Sequence, residues 1–493
     1  MPQIGLQNLI QRLTLYPMQN FSIETLGCKV NQYESQQIRE LLERLGLQQV
    51  KAADRPDLVV VNTCCVTHTA SAKSRQHIRK AQRTNPAGVI IVCGCLPIAH
   101  ACELNGFDEN IHLIRQREDL AARLCRIIAS RSTILNHQSS RNYPNNTIKS
   151  ENGRKVKCKN RLPFRPALEQ IRSFQGHTRA FLKVQDGCDG HCTYCIIPHA
   201  RPNVHSKPLD AALQEARALV AAGHKEIVLT GVCLGAYGQD TVRRVDWPNQ
   251  HNDKLADLLD EMANIPNLER IRLSSLDPAD VTPRLLETFA RHPNIMPHLH
   301  LSLQSGSTAI LRRMCRGYTA EDFLQKVEQI KRNLDRPAIT TEIIVGFPGE
   351  TDADFQQTVD VAKQVGFAKM HIFCFSPRKG TAAAKMGNAV HSRVIKQRSK
   401  ILRELDPKLQ RDFQQQFIGE TVTVLLESGG RQPSGRCERY FMVYLDGPAQ
   451  GLQKNDLVKV RLLQNSKNGL TGKIVHGAPP ALSKELLHKS LPF

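Results

Sequence analysis

The segment Lys183-Val-Gln-Asp-Gly-Cys188-Asp-Gly-His-Cys192-Thr-Tyr-Cys195 constrains this chain more than any other. Three cysteines stand as C-x3-C-x2-C directly behind the apolar run 181–184, which reads as a strand. Three thiolates on one tight loop can hold three irons of a 4Fe-4S cluster and leave the fourth iron open to a substrate or cofactor. The competing reading is a zinc knuckle completed by His191 or His199, because zinc asks for a fourth nearby Cys or His.

A second set of cysteines recurs upstream. The run 21–26 alternates as a strand should and ends at Gly27-Cys28; 58–61 is continuously apolar and ends at Asn62-Thr63-Cys64-Cys65; 89–92 ends at Cys93-Gly94-Cys95. Helical patterns separate them. Asn31 and Glu34 have capping-box spacing, Ile38, Leu41, Leu42 and Leu45 share one face, and Gly46 can stop that helix. In an open parallel sheet the C-terminal strand ends form the ligand crevice. Three thiolates distant in sequence would meet there, as a second cluster site with one open iron. Cys64 follows its strand at once, and Cys95 follows a glycine that lets the backbone turn; Cys65 and Cys93 compete with them for the ligand positions.

The rest is read around these two sets. With 493 residues the chain has room for about three domains. Its 15 cysteines, an odd number, suit metal ligands in a cytoplasmic chain better than disulfides. No apolar run is long enough to span a bilayer and residues 1–20 lack a signal-peptide pattern, so no membrane is expected; Met18 competes with Met1 as the start. Lys+Arg 67 against Asp+Glu 46 gives +21, which argues for an anionic partner, above all nucleic acid. The excess peaks between 131 and 179, where 11 Lys/Arg face 2 Asp/Glu in a Ser- and Asn-rich stretch holding Arg154-Lys155-Val-Lys157-Cys158-Lys159-Asn-Arg161. This reads as a basic linker and an electrostatic arm for RNA. From 176 to 405, strands near 180–185, 226–230, 270–275, 299–303, 341–345 and 370–375 alternate with helices, one opening with Pro208 near its first turn and closing at Gly223. Such an α/β order predicts a partial (β/α)6 barrel with its site at the strand C-terminal ends. Short alternating runs at 421–426, 440–445 and 456–462 predict a small all-β barrel over 408–478. Its Arg431, Arg436, Arg439, Lys459 and Arg461 favour RNA.

Several motifs together resemble the radical S-adenosylmethionine methylthiotransferases. They are the three-cysteine loop with Gln185-Asp-Gly-Cys188 and Cys195-Ile-Ile-Pro-His-Ala-Arg201, Leu229-Thr-Gly-Val232 with Gly235-Ala-Tyr-Gly238, His298 to Gly306, and Ile343 to Thr351. Thr25-Leu-Gly-Cys28-Lys-Val-Asn31-Gln-Tyr-Glu-Ser35 resembles the subgroup acting on threonylcarbamoyladenosine in tRNA (MtaB-type), where the isopentenyl-adenosine and ribosomal-protein subgroups differ. Pro202, His205-Ser206-Lys207, Glu342 and the extra Cys93 depart from the family pattern.

The resemblance implies a methylthiotransferase domain over 19–130, a linker over 131–175, a radical core over 176–405 and an RNA-binding TRAM barrel over 408–478. It implies Cys188, Cys192 and Cys195 as ligands of the radical cluster, and Cys28, Cys64 and Cys95 as ligands of an auxiliary cluster. S-adenosylmethionine would bind the open iron and be cleaved to a radical that takes hydrogen from C2 of threonylcarbamoyladenosine at position 37 of the tRNA anticodon stem-loop. Sulfur would come from the auxiliary cluster and the methyl group from a second S-adenosylmethionine, with an electron donor and a sulfur source as further partners. Gln304 and Gly346, at strand ends, are candidates for cofactor contact. The alternatives are an isopentenyl-adenosine substrate and a non-catalytic RNA-binding iron-sulfur protein.

Overall fold

The computed structural model describes residues 18–107, 110–139, 168–247, 252–430, 432–446, 451–466 and 469–475. The cationic run 154–161 with Cys158, residues 1–17 and Arg431 lie outside the described residues.

Apolar alternation builds the first domain. β1 (Asn20–Thr25), β2 (Gln48–Gln49), β3 (Leu58–Thr63), β4 (Val89–Gly94) and β5 (Ile111–Leu113) form a parallel sheet in the order β2-β1-β3-β4-β5 among the described residues. Helices α1 (Lys29–Arg44), α2 (His68–Thr84) and α3 (Leu120–Ser139) complete it. β3 and β4 are buried on both faces, as continuous apolar runs require. Leu58, Val60, Val89 and Ile91 enter one apolar cluster with Phe21, Ile38 and Leu42; Val59, Val61, Ile90 and Val92 enter another with Ile78 and Leu96. Burying each such side chain contributes about 1.5–3 kcal/mol. One expectation fails locally. Asn31 and Glu34 do not cap α1, because Cys28 is its N-cap and both lie inside the helix with distant partners.

The central strands are β6 (Ala180–Lys183), β7 (Gln185–Asp186), β8 (His205–Ser206), β9 (Glu226–Thr230), β10 (Arg270–Leu273), β11 (Ser275–Leu276), β12 (His298–Gln304), β13 (Ala338–Val345) and β14 (Lys369–Cys374). β6, β9 and β10 pair in parallel, as do β11 to β14, and only Ser274 separates β10 from β11. The wall therefore runs β6-β9-β10/β11-β12-β13-β14 in chain order, the predicted partial barrel. β7 and β8 form a separate antiparallel pair above it. Helix α4 (Leu209–Ala221) takes Pro208 as its N-cap rather than its first helical residue, and Gly223 (φ +93°) ends it as expected.

Helix α5 (Ser392–Gln415) leads to a closed five-stranded barrel: β15 (Thr421–Ser428), β16 (Ser434–Cys437), β17 (Met442–Leu445), β18 (Leu457–Ser466) and β19 (Gly469–Ile474), in the order β15-β16-β17-β19-β18. The sequence pattern marked three of these strands. β16 and β19, short and holding Ser, Gly, Arg and Lys, carry too few apolar residues to stand out. Among the described residues no helix is long and apolar enough to cross a membrane.

Candidate functional site

Backbone geometry builds the three-cysteine loop. Behind β7, Gly187 (φ +81°) turns the chain so tightly that a Cβ would stand 1.8 Å from the Asn203 carbonyl oxygen. The Cys188 N–H then donates to the Arg201 carbonyl at 2.8 Å, and the Gly190 N–H to Cys188 Sγ at 3.4 Å. Arg316 Nη1 donates to Cys192 Sγ at 3.2 Å, while the same guanidinium pairs with Asp277 and lies 5.0 Å over the Tyr318 ring. All three cysteines stay partly exposed. Burial, with the neighbouring thiols adding to it, pushes the Cys188 thiol up to about 11 and the Cys195 thiol up to about 12. Three thiolates at such a spot need a cation, and a cluster of irons supplies one. Among the described residues no three His, Cys, Asp or Glu close on a single metal ion. A four-iron cube takes its thiolates at separate corners, so this spacing suits a cluster better than one zinc.

Beside this loop lies Gln304. It sits at a strand irregularity with φ +64°, a left-handed conformation uncommon outside glycine, and its Nε2 donates to Glu342 Oε1 at 2.6 Å. Gly346 is placed differently. Its N–H donates to Glu350 at 2.8 Å, its φ is +77°, and a Cβ there would stand 2.4 Å from Ile395 of α5, so backbone turn and packing both call for glycine. Arg316 carries no motif of its own, and Glu342 stood out only as a departure from the family pattern, so the place of neither beside the loop was read from the sequence.

The second cysteine set also converges. Cys28 is the N-cap residue of α1, Cys64 follows β3, and Cys95 lies past β4, close enough to raise both Cys28 and Cys64. β4 alternates its side chains between the two faces of the sheet, with Cys93 on the α1 side in the Phe21–Leu42 cluster. Alternation would put Cys95 there too. Gly94 (φ +90°) instead swings it to the other side, so Cys93 is a core residue. Cys65 is fully buried with its thiol hydrogen-bonded to Cys95. Burial raises Cys28 and holds Cys64 at about 11. The hydrogen bond with Cys65, then the cations Arg201 and Arg117, lower Cys95, and Arg117 Nη2 donates to its Sγ at 3.3 Å. Three thiols with two arginines beside them fit an iron-sulfur cluster.

The two sets are joined by a buried ionic network that no motif announced. Arg201 is 4% exposed; it donates to both Glu34 oxygens at 2.8 Å, to Asp186 at 2.6 Å and to Asn31 at 3.1 Å. Lys183 reaches Asp186 at 2.7 Å and Glu34 at 3.2 Å, and Arg117 reaches Glu34 at 3.0 Å. Burial opposes the Glu34 charge, but Arg201, Lys183 and Arg117 outweigh it and hold the carboxyl at about 2. One arginine thus grips α1, which Cys28 caps, with its side chain, and the Cys188 loop with its carbonyl. Lys207, where the chain departs from the family pattern, is also engaged here, with Glu215 and the Tyr33 hydroxyl.

A cavity of about 1010 Å³ opens between the three domains. Its lining runs from Cys28 and Lys29 past His298, His300 and Glu342 inside the barrel to Tyr440 of the small domain. That domain docks through the turn between β16 and β17. Tyr440 (φ +70°) stacks on His298 at 4.6 Å, accepts a hydrogen bond from Arg179 at 2.8 Å, and packs under Arg272 and Arg436. Arg270 and Arg272 donate to the carbonyls of Arg436, Cys437 and Glu438. Two of the five cations expected to face RNA are therefore occupied otherwise. Arg436 bonds Tyr440 and Glu427, and Arg439 bonds the 335–336 turn. Lys459 and Arg461 remain exposed, with Lys473 opposite Arg461 in register.

Two family models match the chain: Radical SAM superfamily over residues 182–362, and Uncharacterized protein family UPF0004 over residues 20–115. Over 456 residues, 92% of this chain and 98% of the other, it is 36% identical to threonylcarbamoyladenosine tRNA methylthiotransferase MtaB of Chlamydia pneumoniae. The protein of the same name from Thermotoga maritima is 35% identical over 470 residues, 94% of this chain and all of that one. The tRNA-2-methylthio-N(6)-dimethylallyladenosine synthase of Zymomonas mobilis is 32% identical over 464 residues, 93% and 97% of the two chains.

Proposed function

Because the chain belongs to the radical S-adenosylmethionine methylthiotransferase family, we propose that it methylthiolates C2 of N6-threonylcarbamoyladenosine at position 37 of tRNA. The observation that carries this reading is the meeting of the helix that Cys28 starts and the Cys188 loop, from different domains, on one buried arginine, with Cys28 lining a cavity of about 1010 Å³. The C2–H bond of an adenine ring has no useful acidity, so a positioned base could not activate it. A 4Fe-4S cluster with S-adenosylmethionine, when bound, supplies the radical chemistry that such a bond requires.

The protein's own contribution is placement. Cys188, Cys192 and Cys195 would hold the radical cluster, with Arg316 donating to the Cys192 sulfur. Gln304 and Glu342, paired at 2.6 Å, would offer polar groups to the cofactor. Cys28, Cys64 and Cys95 would hold the auxiliary cluster, and Arg117 donates to the Cys95 sulfur. The Arg201 network keeps the two loops in register, and a misplacement of 1 Å in such a geometry can cost on the order of 100-fold in rate. The threonylcarbamoyl substrate is favoured over the isopentenyl one by the identities of 36% and 35% with relatives named for it.

The test is nucleoside mass spectrometry of tRNA from cells with and without the gene, and from deleted cells complemented with Cys192→Ala. The expected result is loss of the methylthio form of threonylcarbamoyladenosine, restored by the wild-type gene and not by Cys192→Ala. Loss of the isopentenyl analogue would move the substrate, and no change in either would sink the reading.

A further inference from the structure

The cavity wall next to Cys28 carries polar groups that the protein leaves unanswered. Lys29 and Gln32 line it from one face of the first turn of α1, three residues apart. Among the described residues no hydrogen bond or ion pair engages the Lys29 ammonium. The Gln32 Oε1 is buried without a partner, and so is Nδ1 of His298, a lining residue only 6% exposed. The N-cap, Cys28, offers no side-chain hydrogen bond to this helix start, and no acidic residue stands in its first turn. Its first turn therefore has no acidic group to answer the positive end of its dipole, and only the Cys28 thiol stands near its leading N–H groups.

Most other cations around the cavity are already engaged; Arg411 of α5, which is exposed, is the exception among the described residues. Arg272 bonds Glu226, Lys369 bonds Asp406, Arg179 pairs with Glu427 and Arg439 with Asp335. The nearby Glu342 carboxylate is held by Gln304. On the Cys28 side of the cavity what remains is a lysine, a helix start without an acidic cap, an orphaned amide oxygen and an orphaned imidazole nitrogen. A desolvated charge without a partner is unfavourable, and an entering anion would relieve it. The complementary ligand group has a carboxylate beside N–H or O–H donors. A threonylcarbamoyl side chain has a carboxylate, a hydroxyl and ureido N–H groups, whereas an isopentenyl chain has none of these.

Resting on the function proposed above, we infer that Lys29 and the first turn of α1 receive the substrate's threonyl carboxylate, with Gln32 accepting from its ureido N–H or hydroxyl group. Lys29 is then a specificity-determining residue. It holds the base beside Cys28 by a charge that an apolar side chain does not carry.

The experiment uses cluster-loaded enzyme and fluorescent anticodon stem-loops bearing threonylcarbamoyladenosine, its methyl ester or isopentenyl-adenosine, with Kd read by anisotropy. Wild-type enzyme is expected to bind the acid about tenfold or more tighter than the ester, the scale of one hydrogen bond between charged groups. Lys29→Met should bring that ratio close to one, and Lys29→Arg should keep most of it. Equal binding of acid and ester by wild type, or an unchanged ratio in Lys29→Met, would overturn the inference. Methylthiolation of the threonylcarbamoyl stem-loop is measured alongside. If wild type modifies it yet binds acid and ester equally, only this inference fails. If wild type modifies the isopentenyl stem-loop alone, the function proposed above fails too.

Discussion

Glu34 shows how one carboxylate can set the relation between two domains. It lies on α1 and meets Arg201 and Lys183 of the barrel as well as Arg117 of its own domain. Its carboxyl is held at about 2, against an ordinary value near 4.5. A depressed acid stabilises the fold above the unfolded value, and that stabilisation is lost as pH falls through the folded one. The difference corresponds to roughly 3 kcal/mol, present at neutral pH and lost between about pH 4.5 and 2. Glu34→Gln should therefore lower the thermal midpoint at pH 7, and its deficit should shrink as wild type is titrated to pH 2–3. Midpoints measured across this range check it, and a deficit independent of pH would remove Glu34 from the network's energetics. The sequence did not disclose this role. The local spacing of Asn31 and Glu34 suggests a cap, while their partner Arg201 lies 170 and 167 residues away.

Among elements, the β16–β17 turn bears the docking of the small barrel. Tyr440 in a left-handed conformation, stacked on His298 and under three arginines, is held there by its surroundings. Tyr440→Ala should destabilise this contact by about 3 kcal/mol, as deletion of a buried aromatic does. Differential scanning calorimetry should then show the small barrel melting ahead of the rest, and a single unshifted transition would refute the docking role. The central strands were legible because long apolar runs between helices identify themselves. The six candidate ligand cysteines were legible as loop residues just past strands, and Gly94 explains why Cys95 and not Cys93 leaves the core. What stayed hidden was the pairing of single charged residues across domains, including Arg439, whose charge read as an RNA surface and whose hydrogen bonds to the 335–336 turn serve docking. Such pairings depend on tertiary geometry and leave no period or spacing.

At the scale of the molecule, the +21 charge argues for a long anionic partner. Lys459, Arg461 and Lys473 are exposed on adjacent strands of the small barrel and offer part of that surface. The cationic run 154–161 offers more, with Arg154, Lys155, Lys157 and Lys159 as its first four charges. Neutralising those four should weaken tRNA binding and flatten the slope of log affinity against log salt by up to about 3–4. Filter binding at several salt concentrations measures both, and an unchanged slope would reduce the run to a connector. The way the small barrel is fastened has a consequence for variation over time. Arg270 and Arg272 grip the main-chain carbonyls of residues 436 to 438, not their side chains. Side-chain identity at those three positions is uncoupled from this grip, and what limits change there in descendants of the chain is the barrel's own packing: Arg436 on the Tyr440 ring, Cys437 in the core and Glu438 accepting from the Thr423 N–H. Tyr440, read through its ring, has no such latitude.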